Sequence, residues 1–495
     1  MINFKQKKVV IIGSGFSGLA TAAILAGRGF DVKVLEKNES YGGRASIFSE
    51  QGFNFDMGPS WYLMPEVFET FFQELETTVE KQYKLIRLDP SYRIFFGKKD
   101  VIDIKADLAS NFELFEKIEK GSGIKLKQYL ANAQLKYEAS MRRFIYREYK
   151  SAFSLFNPAL LTEKLNPLML IQSLDDFIGQ YFHNDKLKKI LEYSSVFLGG
   201  EPKTTPALYS LMSHLDFNLG VWYPEGGIGS VTKAIYNLAI ANGAKFHFNA
   251  EVNQILIANE NRKIIKTKLE DFEAEIVVAS ADYNHVETKL LAKNLRTYPE
   301  SYWQKKIMAP SAFILYLGLN KKLTSLSHHN LFLANNWQKH FNNIFHEPSW
   351  SDQPAYYVCC PSITDKTVAP ANCENLFITV PLATSLDDND VQRDLYAEFI
   401  IKDLEHNIGE KISPSIIVKR IFSQRDFNKR YNAYKGSALG LSQTLFQSTI
   451  FRPAHVSKKV PGLFYAGQYT NPGIGMAMSI ISAQIVTKLI QDEIY

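Results

Sequence analysis

The chain has 495 residues, more than one hydrophobic core ordinarily organises, so two domains are expected. A net charge of +5 spread over this length gives no case for nucleic-acid binding. The three cysteines include no C-x-x-C pair, so they indicate neither a disulfide framework nor a zinc site, and they fit a reducing cytoplasm.

The first predicted element is a strand-turn-helix-strand unit with closely spaced glycines. An apolar strand at 9–12 runs into Gly13-Ser14-Gly15-Phe16-Ser17-Gly18, and an alanine-rich helix connects this turn to a second strand at 32–35. The first glycine permits the tight turn, the second lets backbone approach a pyrophosphate, and the third lets the helix pack close to the sheet. The N–H groups at the helix start would then face the phosphates.

A carboxylate, Glu36, ends the second strand. There it can accept both hydroxyls of an adenosine ribose and would repel a 2′-phosphate, which argues against NADP. A secretory signal is excluded, although lysines precede the apolar run, because the glycine spacing and the second strand have no place in one. The predicted dinucleotide-binding residues of this unit are Gly13, Gly15, Phe16, Ser17, Gly18, Glu36 and Lys37.

Two short runs after Glu36 carry a family resemblance. Gly42-Gly43-Arg44 comes first, and Phe55-Asp56-Met57-Gly58-Pro59-Ser60 follows, with Pro65 completing an F-D-x-G-P-S-x-x-x-x-P segment. Together they resemble the flavin-binding amine oxidase and carotenoid desaturase superfamily. The resemblance implies FAD, with the glycine pair close to the cofactor and the arginine on its pyrophosphate. The predicted contacts here are Gly43, Arg44, Gly58, Pro59 and Ser60.

The middle of the chain is predicted to change from strands to helices. Residues 85–105 indicate two or three strands and residues 110–181 indicate helices, with apolar clusters at 153–182 that Pro158 and Pro167 interrupt. The stretch has two interpretations that stay open: an ordinary helical subdomain, or an apolar structure that is either a helical lid or an interfacial helix lying on the bilayer. After the first unit no apolar run is long enough to span a bilayer, so membrane contact is expected to be peripheral, at the cytoplasmic membrane.

Two patterns further along the chain could suggest a further binding site. A glycine-rich turn at 226–229 follows Pro224 instead of a buried strand, so a separate NADPH domain is rejected. By the resemblance, the chain returns here to the FAD domain, and the backbone near Val252 edges the adenine. His328-His329 has no third ligand at metal spacing, so a solvated loop is expected and no metal site is predicted.

The C-terminal segment is the second predicted anchor of the cofactor. A strand ending in Ala466-Gly467 leads into a Gly/Pro loop and then an apolar helix. A helix start in this position can stabilise negative charge on a reduced flavin ring. Asn471 departs from the acidic residue of many amine oxidases, at a position that varies among desaturases. The predicted contacts are Gly467, Gly475, Met476 and Met478.

The predicted fold is α/β: a Rossmann-like FAD-binding domain of the glutathione-reductase and amine-oxidase type, interleaved with an α+β substrate domain and a helical lid. The FAD domain is expected at 1–100, 222–290 and 425–495. The substrate domain is expected at 101–221 and 291–424, with the lid near 110–182.

The motif matches together resemble the bacterial phytoene desaturase family. The resemblance implies an FAD-dependent oxidoreductase that introduces conjugated double bonds into a C40 polyene. Electrons would leave to oxygen or a membrane quinone, and a membrane lipid surface is an expected partner. By the same resemblance, Glu148 beside Arg147 is the predicted catalytic pair; the family acid is Asp, and a solvated charge pair is the alternative.

Three other functions stay open at this point. A carotenoid cis–trans isomerase or a desaturase of a later carotenoid would use the same fold. A prenyl-binding module without chemistry would carry a degenerate flavin site, whereas the glycines, Glu36 and Arg44 are intact here. An amine or protoporphyrinogen oxidase is the third, and the lack of evident polar substrate anchors weighs against an amine oxidase.

Overall fold

A computed structural model gives the fold and describes residues 7–148, 169, 171–334 and 336–494. Its strands are β1 (Lys8–Ile12), β2 (Asp31–Leu35), β3 (Ile47–Glu50), β4 (Phe53–Asp56), β5 (Leu85–Arg87), β6 (Tyr92–Gly97), β7 (Asp100–Ile104), β8 (Trp222–Pro224), β9 (Lys245–His247), β10 (Val252–Asn259), β11 (Arg262–Thr267), β12 (Asp271–Ala274), β13 (Ile276–Ala279), β14 (Ser311–Leu319), β15 (His329–Phe332), β16 (Tyr356–Cys359), β17 (Glu374–Leu382), β18 (Ile416–Phe422) and β19 (Leu463–Tyr465).

The α-helices are α1 (Phe16–Gly27), α2 (Pro65–Glu74), α3 (Val79–Gln82), α4 (Leu108–Ile118), α5 (Ser122–Arg143), α6 (Leu174–Gly179), α7 (Asp185–Glu192), α8 (Ile228–Ala241), α9 (Tyr283–His285), α10 (Glu300–Gln304), α11 (Trp337–Phe345), α12 (Asp390–Ile408), α13 (Gln424–Tyr431) and α14 (Met476–Ile494). Within the described part of the chain, no helix is both long and apolar enough to cross a membrane.

The first layer is a five-stranded parallel sheet in the order β19-β13-β1-β2-β9. Its central strand is apolar on both faces because both faces are covered. Val9 and Ile11 pack in a core with α1, α8 and α14, whereas Val10 and Ile12 pack in a second core with the three-stranded sheet β10-β11-β12. This arrangement confirms the predicted Rossmann-like unit.

The second layer is a seven-stranded sheet in the order β18-β14-β17-β16-β15-β6-β7. Its pairs are antiparallel except β15 with β6. Alternating residues of β14 face two cores: Ile314 and Tyr316 face one side, and Phe313, Leu315 and Leu317 pack against α12 on the other. The predicted domain boundary at residue 100 falls at the start of β7, and it separates this strand from its partner β6 in the same sheet. The division of the chain into domains stays a prediction.

The strands predicted for residues 85–105 are confirmed, and α2, a helix earlier in the chain, has one buried face. The three strands of residues 85–105 are β5, β6 and β7, and Pro65 opens α2. The aromatic stripe of that helix, Phe68, Phe71 and Phe72, is fully buried.

The predicted loop at His328-His329 is wrong. His329 begins β15, which lies between β16 and β6, and both histidines are buried. The lack of a third ligand at metal spacing suggested a solvated loop, but β15 pairs in the interior of the seven-stranded sheet, which buries His329 and the preceding His328.

The predicted lid lies mostly outside the described residues, because 149–168 and 170 are not described. Around it, α4, α5 and α6 form a helical subdomain, in which Phe115, Tyr129 and Phe177 share one core with Phe182. Whether this region lies on a bilayer stays a prediction.

Candidate active site

A cavity of about 1040 Å³ extends from the parallel sheet to the seven-stranded sheet. Residues of both layers line it, so a ligand bound at one end adjoins a ligand bound at the other. The lining contains sixteen of the residues that the sequence predicted: Gly13, Gly15, Phe16, Ser17, Glu36, Lys37, Gly43, Arg44, Gly58, Pro59, Ser60, Val252, Gly467, Gly475, Met476 and Met478.

Gly18 is the predicted residue that is absent from the described lining, and its role is in packing. A Cβ on Gly18 would lie 2.0 Å from the carbonyl oxygen of Gly13, so no other residue fits there. Gly13 has φ +96° and donates its N–H to Leu35 at 2.8 Å, which holds the turn against β2. A Cβ on Gly15 would meet nothing within 4 Å, because this residue borders the cavity.

Glu36 is fixed at the end of β2 with its carboxylate beside the glycine turn. One oxygen accepts the backbone N–H and hydroxyl of Ser14, at 2.9 and 2.8 Å, and the other accepts the N–H of Asn38 at 2.9 Å. Lys37 points away from it, donating to the Lys429 carbonyl and lying 3.3 Å from the Glu251 carboxylate. The acid is therefore pre-positioned at the wall of the cavity.

Arg44 supplies the strongest sign of an anionic ligand. Its Nε and one terminal nitrogen are buried without a hydrogen-bond partner among the described residues, and its guanidinium lies 5.3 Å from the Tyr431 ring centre. An unpaired buried guanidinium is costly, and a diphosphate would satisfy it. The donor set thus fits the pyrophosphate of FAD.

The C-terminal loop closes the cavity from the other side. α14 begins at Met476, directly after Gly475 with φ +126°, so the first turn of this helix borders the cavity. The buried Arg452 fixes the loop: its Nε donates to the carbonyls of Tyr469 and Thr470, at 3.2 and 3.0 Å.

Sequence analysis missed Arg452, because the residue belongs to no motif and its contact with the carbonyls of Tyr469 and Thr470 forms only when the chain folds. Burial lowers the pKa of its guanidinium to about 10, so it stays charged at neutral pH. Tyr431 and Asp282, which also border the cavity beside Arg44, were missed for the same reason.

The far end of the cavity is lined mainly by apolar side chains from the seven-stranded sheet and the helices beside it. They include Leu211, Leu215, Ala312, Ile314, Leu331, Leu333, Trp337, Phe377 and Pro381. Such a lining accommodates a hydrocarbon and excludes water.

At that end, His340 has one ring nitrogen without a partner among the described residues. Nδ1 of His340 accepts the N–H of Ala355 at 3.3 Å, while Nε2 is buried and unpaired. Burial lowers the pKa of this imidazole to about 4, so it is neutral at pH 7 and its proton is on Nε2. His340 therefore offers a hydrogen-bond donor beside the apolar side chains of that end.

The predicted catalytic pair lies outside the described lining of the cavity. Arg147 is exposed, and its carbonyl accepts from the Asn471 side chain at 2.9 Å. Glu148 is partly buried, with Oε2 3.6 Å from Nε2 of His455. Burial lowers the pKa of His455 to about 4, so the contact is not an ion pair at neutral pH. The catalytic role of the two residues stays a prediction.

Known proteins resemble this chain over its whole length. Residues 16–490 match the family of flavin-containing amine oxidoreductases. The carotenoid 3,4-desaturase of Haloarcula japonica is 42% identical over 494 residues, covering 100% of both chains. The zeta-carotene-forming phytoene desaturase of Myxococcus xanthus is 30% identical, covering 97% of this chain and 93% of that one.

Solved structures show the same fold. An oxidoreductase from Methanosarcina mazei superposes with a TM-score of 0.63 at 18% identity, covering 97% of this chain and 100% of that one. Cyclohexylamine oxidase from Brevibacterium oxydans superposes with a TM-score of 0.60 at 11% identity, covering 99% of both.

The sequence motifs, the cavity with its unpaired arginine and the relatives agree on one assignment. The chain belongs to the flavin-containing amine oxidoreductase family and, within it, is a carotenoid desaturase, an FAD-dependent oxidoreductase that acts on CH–CH groups.

Proposed function

We propose that the protein desaturates a C40 carotenoid hydrocarbon, with phytoene as the first candidate substrate. The observation that carries this is the continuity of the cavity: an apolar chamber opens directly onto the residues that fit FAD. At about 1040 Å³, it is at the upper limit of ordinary ligand pockets, about 300–1,000 Å³, as a long substrate beside a dinucleotide requires.

In this proposal bound FAD supplies the acceptor for a hydride from the substrate. The chain's own residues do the remaining work. The apolar side chains of the far end hold the polyene by burial and keep water away from the reacting bond. Gly58, Pro59 and Ser60 line one side of the cavity, and the loop before α14 lines the other. Together they limit the directions from which the substrate can approach. Glu148 is proposed to take the proton, directly or through a group on the loop it contacts.

A second candidate is desaturation of a later carotenoid at its 3,4 bond. The 42% identical relative from Haloarcula japonica carries that activity in its name. The unpaired donor of His340 at the apolar end supports it independently, since a hydrocarbon cannot accept a hydrogen bond and an oxygenated carotenoid end can.

The destination of the electrons and the location of the protein complete the proposal. Reduced cofactor is proposed to pass electrons to oxygen or a membrane quinone, with the protein held peripherally at the cytoplasmic membrane where its substrate dissolves. A liposome flotation assay tests the membrane contact: protein that floats with the vesicles supports it, and protein that stays at the bottom of the gradient ends it.

A pigment test separates the two substrates. The chain is expressed in cells that accumulate phytoene and in cells that accumulate a later, oxygenated carotenoid, and the lipid extracts are compared by absorption. New long-wavelength polyene bands in the first strain support phytoene desaturation. Bands shifted only in the second strain support the 3,4 reaction. Soluble, flavin-loaded protein that changes neither extract would contradict both.

A further inference from the structure

The two buried histidines of the seven-stranded sheet lie beside a buried cysteine. Residues 329 and 359 are paired across the antiparallel strands β15 and β16, which places Cys359 opposite His329. His328 precedes the same strand, and the imidazole rings of the two histidines are 4.5 Å apart between centres. One nitrogen from each histidine and the thiol sulfur all lie within 4.8 Å of one another.

Each imidazole is held by one nitrogen and leaves the other without a partner. Nδ1 of His328 shares a hydrogen bond with the Thr364 hydroxyl at 2.8 Å, and Nδ1 of His329 shares one with the Tyr357 hydroxyl at 2.6 Å. Both Nε2 atoms are buried without a polar partner in the part of the chain that the structure describes. An unpaired buried nitrogen is destabilising, and here two occur side by side.

We propose that His328, His329 and Cys359 bind one divalent transition-metal ion, with Zn²⁺ as the best match. A ligating histidine characteristically uses one ring nitrogen for the metal and the other for a hydrogen bond that fixes the ring. Two imidazoles and a thiolate form a ligand set that suits zinc, and water can fill a fourth position. Binding replaces the thiol proton with the metal and releases that proton to solvent.

The surroundings of the cluster suit such an ion. A small cavity of about 150 Å³ adjoins Cys359 and is also lined by Asp56 and Tyr223, which leaves room for a water ligand. Two carboxylates lie nearby: Asp56 borders the same small cavity, and Asp365 accepts the hydroxyl of Tyr223 at 3.0 Å, whose ring centre is 4.5 Å from that of His328. Trp61 stacks on His329 with ring centres 4.6 Å apart, which fixes that ring in place.

The cluster is joined to the wall of the active-site cavity. Tyr357, which holds His329, also shares a hydrogen bond with the Ser60 hydroxyl at 2.8 Å, and both residues line the large cavity. A metal at this position would lock β15 to β16 and, through Tyr357, set the position of Ser60. The role is structural, and it does not depend on which carotenoid is the substrate.

The pairing of β15 with β16 explains why the sequence predicted no metal. The third ligand, Cys359, is at the end of β16, beyond α11 and the loop that follows this helix. It is therefore not at a short spacing from the histidines. Only the register of the sheet brings the three residues together.

Metal analysis of the purified flavoprotein tests the proposal. The chain is prepared without an affinity tag, under reducing conditions and without chelator, and its zinc and FAD are quantified together. The proposal predicts zinc equimolar with protein, or uptake of one Co²⁺ by the metal-depleted protein with d–d absorption in the red, beyond the flavin bands. Wild-type protein that is fully loaded with FAD, carries no metal and takes up no Co²⁺ overturns it.

Two matched variants locate the ion. Cys359→Ser is expected to weaken metal binding at least about tenfold and to abolish the thiolate contribution to the Co²⁺ spectrum, while FAD content reports that the protein is folded. Cys373→Ser changes a cysteine outside the cluster and should bind metal like the wild type. Equal metal loss in both variants, or in neither, would contradict the assignment.

Discussion

The two ends of the active-site cavity are built in different ways. The FAD cradle, formed by residues 13–17, 36, 42–44 and the loop from 467 to 475, uses backbone turns and side chains that short motifs specify. The substrate wall, formed by Leu331, Trp337, His340, Tyr357 and Phe377, assembles side chains from strands and a helix far apart in sequence. The local motifs of the FAD cradle determine which cofactor binds, whereas the long-range packing of the substrate wall determines which substrate fits.

The comparison predicts that the cradle is the least tolerant to change. Gly18→Ala places a Cβ 2.0 Å from the Gly13 carbonyl, which must open the turn and cost about 3 kcal/mol or more, with loss of FAD. Gly179→Ala is the matched control, since a Cβ there meets nothing within 4 Å. Thermal unfolding and the flavin content of the purified proteins are the measurements; a flavin-loaded Gly18 variant of normal stability would break the account of the cradle.

Replacing Glu148, the predicted catalytic acid, tests whether turnover depends on a residue outside the described lining of the cavity. Glu148→Gln keeps shape and removes the charge, so turnover should fall about 100-fold or more while FAD content and stability hold. Glu138→Gln, which removes a carboxylate that accepts from Gln134 on the same helix, is the control. Unchanged turnover of the Glu148 variant would assign that residue a structural role beside His455.

Replacing Arg44 tests whether a positive charge in the FAD cradle contributes to cofactor binding. Arg44→Ala removes the unpaired guanidinium and should weaken FAD binding by about 1.5–3 kcal/mol, or about 10- to 100-fold. Arg28→Ala removes a guanidinium of the same domain that pairs with Glu74 at 2.7 Å near the surface, and it should leave FAD affinity unchanged. Fluorescence titration of the apoprotein with FAD measures both, and equal affinities for wild type and the Arg44 variant would contradict the pyrophosphate contact.

His340 tests the substrate wall and gives the smallest expected effect. His340→Leu removes one hydrogen-bond donor, worth about 0.5–1.5 kcal/mol, so an oxygenated carotenoid should lose roughly threefold to tenfold in kcat/KM. A hydrocarbon substrate should react as before or better. His346→Leu, at an exposed position just beyond the same helix, is the control. Equal losses on both substrates would mean that His340 only supports packing.

The residues predicted for the cradle could be named from the sequence for a physical reason. A strand, a glycine turn and a helix start are local structures, so their glycines and Glu36 are recognisable without knowing the fold.

The substrate wall could not be predicted, because it depends on strand order and register. His328 and His329 were expected in a solvated loop, yet pairing in the middle of the seven-stranded sheet buries them. The role of Arg452 depends on the loop carbonyls that it contacts in the folded chain, and the role of His340 depends on its position at the cavity. No motif in the sequence encodes either contact.

The most direct test of a continuous cofactor and substrate site is an anaerobic single turnover. FAD-loaded protein is mixed with carotenoid in liposomes without an electron acceptor, and flavin and polyene absorption are followed together. A desaturase predicts that the flavin bleaches as longer polyene appears, one double bond for each flavin reduced. Polyene change without bleaching, as in a redox-neutral isomerisation, would contradict the account.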